Sequence, residues 1–338
     1  MEILAVSGMD GLVDLIKKRD PELIGMIHGY ERIPDAISTS LRGMIIATPG
    51  NELYVGDFST IEARQTMWVC NQMDAVQTFA DFDKGIGADI YCTMASAIVG
   101  HPVNKKDHPH ERQLGKITVL GCGYQMGAPR LQAQAEEQFG VLLTITQAES
   151  MVNSYRNKYR KVRNSWYGLQ EGVGKAILDP GTIGSFNGKI YYGTMEDEAG
   201  NWLVFRLPNK RKLWFYEPEC EVENWIDQNG KKRLRYNVSY MARSSKHQGR
   251  WMRVRSYGGM MLENIVQALA RDTMVESMFA VEEANYPIVL TVHDEVISDV
   301  PKGYGSLEEF TNLMAQSPVW AADCPITVEA WKGERYRK

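Results

Sequence analysis

The sequence predicts an α+β protein, and three observations carry that prediction. Two short apolar runs, LYVGD at 53–57 and IVLTVHDEVI at 288–297, read as strands that end in acidic residues. Residues 86–175 are helical in texture, with Gly-bounded segments and few β-branched runs. Residues 181–257 then change to aromatic, β-rich segments broken by turn signals.

Taken in order, residues 1–50 predict one short helix over 9–18 followed by loops. The strand from Leu53 ends at Asp57, and a helix is expected from about Ile61. Ser59 and Glu62 match the S-x-x-E capping box, in which Ser59 caps that helix and Glu62 reaches back to its start. The helical block holds amphipathic stretches at 128–139 and 148–177, and reads as a subdomain inserted after the first strand. Hairpin turns are expected at Asn187-Gly188, Gly200-Asn201 and Asn229-Gly230. Helical periodicity returns over 260–284, followed by a tight hairpin with His293, Asp294 and Glu295 at its tip and by a basic tail, WKGERYRK. No internal repeat or low-complexity segment is visible.

A chain of 338 residues with 44% hydrophobic content can bury a substantial core. No stretch approaches the roughly 20 apolar residues that cross a bilayer, and the acidic start, MEILAVSGMDGLVD, lacks the basic opening of a signal peptide. A cytosolic protein, acting without a membrane, is expected. The five cysteines, at 70, 92, 122, 220 and 324, are scattered and lack CxxC spacing, which argues against a disulfide framework and against a zinc site. The net charge of −4 hides an uneven distribution: 205–255 holds 13 Lys+Arg against 5 Asp+Glu, a local +8. A second cluster, YRNKYRKVR at 155–163, interleaves aromatics with cations. Either patch can track a phosphate backbone; either alone reads equally as a solvated helix face or a charge-protected edge strand.

Two adjacent carboxylates beside an imidazole are costly to bury unless something pairs with them. The partner expected for Asp294 is Asp57, which also sits where an apolar strand ends. Two strand-end aspartates side by side suit a pair of Mg²⁺ ions, which favour hard oxygen ligands and keep positions open for water and phosphate; that arrangement serves in-line phosphoryl transfer. In RQLGKITVLGCGY, Arg112, Lys116, Leu120 and Tyr124 recur every four residues and form one stripe on a helix. Two cations one turn apart suit a triphosphate, with a flat ring further on to pack near a base or sugar; a solvated amphipathic face is the other reading.

These three segments, in this order, resemble motifs A, B and C of the family A DNA polymerases. GDFSTIEAR is similar to the family's D-Y-S-x-I-E-x-R, RQLGKITVLGCGY to R-x3-K-x7-Y-G, and VHDE to H-D-E. LRGMIIATPGNELYVGDFS, Asp89-Ile-Tyr91 and Glu263-Asn-Ile-Val-Gln267 extend the likeness over roughly 28–338, with a bacteriophage flavour in GGMMLENIVQALARD and GERYRK. The resemblance implies a right-hand palm built on an antiparallel sheet, with helical fingers and a β-hairpin-rich insertion. Its parts would be lead and first palm segment at 1–85, fingers at 86–180, insertion at 181–257, and second palm segment with the tail at 258–338.

By that resemblance the chain adds deoxynucleotides to a primer by two-metal-ion transfer in phage-type DNA replication, using Mg²⁺ with Mn²⁺ as the alternative ion, in the host cytoplasm if phage-encoded. Asp57 and Asp294 would ligate the metals, with the Phe58 carbonyl assisting and Glu295 beside them. Arg112 and Lys116 would bind the incoming dNTP, and Lys116 would protonate the pyrophosphate. Glu62 would exclude a ribose 2′-hydroxyl, and Leu120 and Tyr124 would lie by the nucleotide. Gln267, His293, Arg211 and Arg64 would contact primer-template DNA. Three departures stand out. Leu120 replaces the usual Phe or Tyr, Gln125 replaces the Gly after Tyr124, and only 56 residues precede Asp57. The last departure suggests palm and fingers alone, with thumb and exonuclease absent or supplied by a separate polypeptide. Two other readings remain: a non-catalytic DNA-binding replication subunit that kept the polymerase fold, and a relative of the single-subunit RNA polymerases. Glu62 and Glu295 argue against the second.

Overall fold

The structure, a computed structural model, describes residues 2–226, 230–244 and 247–336. Along the chain α1 (Glu2–Lys17), α2 (Pro21–His28) and α3 (Ile33–Gly43) lead to β1 (Asn51–Phe58). Seven helices follow: α4 (Ile61–Val69), α5 (Met73–Asp83), α6 (Ile90–Val99), α7 (Pro109–Cys122), α8 (Ala128–Phe139), α9 (Ile145–Lys158) and α10 (Arg160–Leu178). The strands β2 (Gly184–Phe186), β3 (Ile190–Asp197), β4 (Gly200–Arg206), β5 (Lys212–Ile226), β6 (Lys232–Ser244) and β7 (Arg250–Ser256) come next. The chain closes through α11 (Gly258–Glu283), β8 (Ile288–Val292), β9 (Glu295–Pro301), α12 (Leu307–Met314) and β10 (Val328–Gly333). It divides into two compact units: Met1–Ser59 with Met274–Gln316 and Ile326–Lys338, and Thr60–Thr273 with Ser317–Pro325.

The first unit is built on an antiparallel sheet in the order β10-β1-β9-β8. Because side chains alternate along a strand, β1 sends Leu53 and Val55 to one face, where they meet Ile297 and Tyr336. Tyr54 goes to the other face, edge-on to Tyr286 and Phe310 at ring separations of 5.5 and 5.6 Å. Gly56 is required there, since a Cβ would stand 2.3 Å from the Met314 sulfur. The lead before β1 differs from expectation: three helices form where one helix and loops were predicted. Asp20 caps α2 by accepting the Leu23 N–H at 3.0 Å, Pro21 and Pro34 stand in first turns, and Leu12, Ile24 and Ala36 close a small core.

The second unit joins the helical block to a six-stranded antiparallel sheet in the order β2 to β7. One face of that sheet packs on α10: a Cβ on Gly174 would strike the Tyr236 ring, and one on Gly172 the Tyr192 hydroxyl. The stretch expected at 148–177 is two helices broken at Tyr159 (φ −103°, ψ 61°). The break lets Tyr159 turn inward onto Tyr155, ring centroids 5.0 Å apart. The Asn187-Gly188 hairpin forms with both residues at positive φ. The turn expected at Gly200-Asn201 lies earlier, at Glu198-Ala199, because the Asp197 carboxylate takes the Ala199 and Trp202 N–H groups at 2.9 Å each. The Asn229 turn lies outside the described residues. Among the described residues no helix is long and apolar enough to cross a membrane.

Candidate active site

In the first unit, register brings carboxylates together. Asp57 faces Glu295 on β9 and Glu329 on β10, so three acids form a row across neighbouring strands. Leu53 and Val55 precede Asp57 on the same face, which seats the row beside the apolar cluster. The hairpin the sequence predicts forms, but β8 and β9 meet through a two-residue turn, His293-Asp294, with Glu295 in β9 rather than at the tip. His293 is exposed and takes the left-handed conformation (φ 55°), while half-buried Asp294 accepts the Phe58 N–H at its carbonyl (3.3 Å). That bond ties the turn to the end of β1. Glu295 is 2% exposed and accepts the Tyr336 hydroxyl, which anchors it rather than leaving both oxygens open. A cavity of about 1370 Å³ is lined by Asp57, Glu295, Glu329, Lys302, Glu334 and Arg335.

Glu329 was missed by sequence reasoning, which read the C-terminus only as a basic tail. The alternation in VEAW was the available signal for β10. Among the described residues no group of three or more His, Cys, Asp or Glu side chains is close enough to hold a metal by itself. Mg²⁺ needs no such group: it takes one or two carboxylates and fills its octahedron with water and phosphate. Asp57 and Asp294, hard oxygen donors at the ends of adjoining strands, therefore suit it.

The second unit gathers a different set. Glu62, Leu120 and Tyr124 line one small cleft with Thr66 and Tyr155. The Tyr124 hydroxyl donates to the Glu62 carboxylate at 2.9 Å. Burial, and then the Glu62 charge, push the Tyr124 pKa well above its ordinary value, so the phenol stays a donor. The capping box is overturned: the residue capping α4 is Thr60, in the left-handed conformation and without a side-chain cap bond. The four-residue stripe also stops early, because α7 ends at Cys122 and leaves Tyr124 in the turn beyond. That turn needs Gln125 at φ 70°, which a glycine takes freely. Gln125 compensates by accepting the Gly259 N–H at the start of α11, at 3.0 Å.

Arg112 is held by Asp89 at 2.7 Å and lies over the Tyr91 ring; Asp89 also caps α6. Lys116, half-buried one turn on, pairs with no described carboxylate. Gln267 is exposed on α11. Arg211 is committed to Asp272 at 2.7 Å and to the Ala268 carbonyl at 2.9 Å. Arg64 corrects the expectation of a DNA contact: it is 3% exposed, forked onto Asp83 at 2.6 and 2.8 Å, and stacked over Phe79. The aromatics of 155–163 are likewise core, with Tyr155 and Tyr159 each 1% exposed.

A palm-like antiparallel sheet carrying strand-end acids, together with a helical and β-rich unit, is the architecture of a polymerase domain. The polymerase domain of Pol1 from M. smegmatis, solved with DNA primer-template and dNTP, matches with a TM-score of 0.53 at 20% identity, over 88% of this chain and 42% of that one. The model of DNA polymerase family A matches residues 23–178 of the chain. It is 29% identical to the DNA polymerase of Bacillus phage SP02, over 98% of this chain and 48% of that protein. It is 21% identical to the thermostable DNA polymerase I of Thermus thermophilus, over 87% of this chain and 28% of that protein. The chain thus spans about half the length, or less, of the curated relatives it matches.

Proposed function

We propose that this chain carries out template-directed DNA synthesis, extending a primer 3′ end with deoxynucleotides on a phage-type replication template. The observation that carries the reading is Asp57 on β1 beside the His293-Asp294 turn, with the Phe58 N–H bonded to the Asp294 carbonyl. Asp57 and Asp294, with the Phe58 carbonyl, would hold two divalent ions, Mg²⁺ or Mn²⁺. When bound, those ions neutralise phosphate charge and lower the pKa of the attacking hydroxyl. Glu295, fixed by Tyr336, holds the base of the turn in register with Asp57. Arg112 orients the triphosphate with the donors that Asp89 leaves open, and Lys116 neutralises the departing pyrophosphate and gives it a proton. Glu62, aligned by Tyr124, blocks the position of a ribose 2′-hydroxyl. His293 and Gln267, both exposed, are the proposed contacts to primer-template DNA. We assign the first unit to the palm and the helices of the second to the fingers.

Primer extension with Mg²⁺ tests the reading. Asp57→Ala and Asp294→Ala are each expected to lower the extension rate by a thousandfold or more, on the order of 4 kcal/mol of transition-state stabilisation, with unchanged circular dichroism. Extension by either variant at close to the parental rate would sink the assignment.

A further inference from the structure

The face of the β2–β7 sheet that α10 leaves uncovered bears a ribbon of aromatic rings. Cross-strand pairing sets Trp202 beside Tyr216, and Val204 beside Trp214. The same face continues through Met241, opposite Tyr216, to Arg253 and Trp251 on β7. Trp214 and Trp202 are 5.9 Å apart, Trp202 and Tyr216 4.9 Å, and Tyr216 and Trp251 6.2 Å. Trp214 is 44% exposed and Trp251 55%. Indoles that packed a core would not stand so far into solvent. The rings and their neighbours line a depression of about 580 Å³.

Cations stand among these rings on the same face. Lys212 lies over Trp214 with its ammonium 5.2 Å from the ring, Arg206 is directly opposite Lys212, Arg243 is opposite Trp251, and Arg255 follows four residues after Trp251 on β7; all four are exposed. Of the nearby acids, Glu219 is neutralised by Arg253 at 2.6 Å, Asp197 is occupied by the N–H groups of its own turn, and Glu217 accepts the Asn201 N–H at 3.0 Å; Glu221 and Glu223 stand exposed further along β5, where Glu223 accepts from the Asn237 amide at 3.1 Å. The surrounding segment 205–255 carries a net +8 in a chain of net −4.

From this we infer that the open face of the β2–β7 sheet is a binding platform for single-stranded DNA. The charge selects a polyanion. Exposed flat rings select one whose bases are unstacked, because duplex DNA turns its base faces inward and offers only phosphates to a sheet. Bases stack on Trp214 and Trp251 while Lys212 and Arg243 meet the phosphates between them, a mode tolerant of sequence since every base has a π-face. The preference for DNA over RNA rests on the polymerase reading; the stacking platform stands without it.

The test uses the full chain and a fluorescein-labelled oligo(dT), read by anisotropy and by quenching of tryptophan emission. Trp214→Ala with Trp251→Ala is expected to weaken binding roughly tenfold or more, whereas Trp214→Phe with Trp251→Phe keeps most of it. Lys212→Glu with Arg243→Glu is expected to weaken binding and flatten its salt dependence. Asp57→Asn should bind oligo(dT) as the parent does even where it fails to extend a primer, which separates this inference from the catalytic one. The inference is overturned if the double alanine variant, shown folded by circular dichroism, binds oligo(dT) as tightly as the parent. Blunt duplex competing as well as oligo(dT) overturns it too, as does a self-association that the two tryptophans support in place of DNA binding. Tighter binding of oligo(rU) overturns the choice of DNA.

Discussion

Tyr124 and Glu62 show how one pair sets chemistry at the residue scale. The phenol is held protonated by burial and by the carboxylate it serves, and the carboxylate is held in one place by the phenol. Removing either should loosen the same selectivity. Glu62→Ala is expected to raise ribonucleotide incorporation more than tenfold, and Tyr124→Phe to raise it less, because the carboxylate remains but loses its alignment. Competition between ribo- and deoxynucleotides measures both, and an unchanged ratio in Glu62→Ala would remove the gate. Arg64 is a contrasting residue. Its guanidinium is buried and forked onto Asp83, so Arg64→Ala takes the forked cation from a carboxylate that is itself only 19% exposed. A loss of about 3 kcal/mol of stability is expected, read by denaturant unfolding, with DNA affinity of the folded protein unchanged.

At the scale of elements, close approach and burial set the tolerances. The helices α6 and α7 touch backbone to backbone at Gly115, where a Cβ would stand 2.0 Å from the Tyr91 carbonyl oxygen. Gly115→Ala must therefore push the helices apart, and a loss of about 2 kcal/mol or more is expected despite alanine's better helix propensity. An unfolding midpoint equal to the parent's would show that the helices can yield. The α9–α10 junction and its surroundings should respond to alkaline pH. Burial raises the thiols of Cys70 and Cys122 to about 12 from 9.0, and lifts Tyr155 and Tyr159 above 10.0. Such groups favour the folded state only while neutral, so their contribution is whole below the unfolded values and is lost as pH rises from there toward the folded ones. Thermal unfolding should show a stability plateau that falls from about pH 9 upward. A flat midpoint through pH 11 would contradict it.

At the scale of the whole molecule, the strand-ending acids, the amphipathic helices and the change of texture at 181–257 were legible because alternation, 3.6-residue periodicity and turn residues are local signals. The sequence by itself determined that a hairpin turns about His293-Asp294 and that 128–139 is a helix. It could not show that Arg64 is buried, since a motif arginine has the same letters in a core as on a surface. Nor could it show that Tyr155 and Tyr159 are core while Trp214 and Trp251 lie open. That difference depends on which face α10 covers. Tertiary structure alone decided that Glu329 stands beside Asp57, because their pairing joins residues 272 positions apart and register is set by the whole sheet. It also decided that Gln125 serves where a glycine was expected, since the left-handed turn becomes tolerable only once α11 brings a backbone N–H within reach of its side chain.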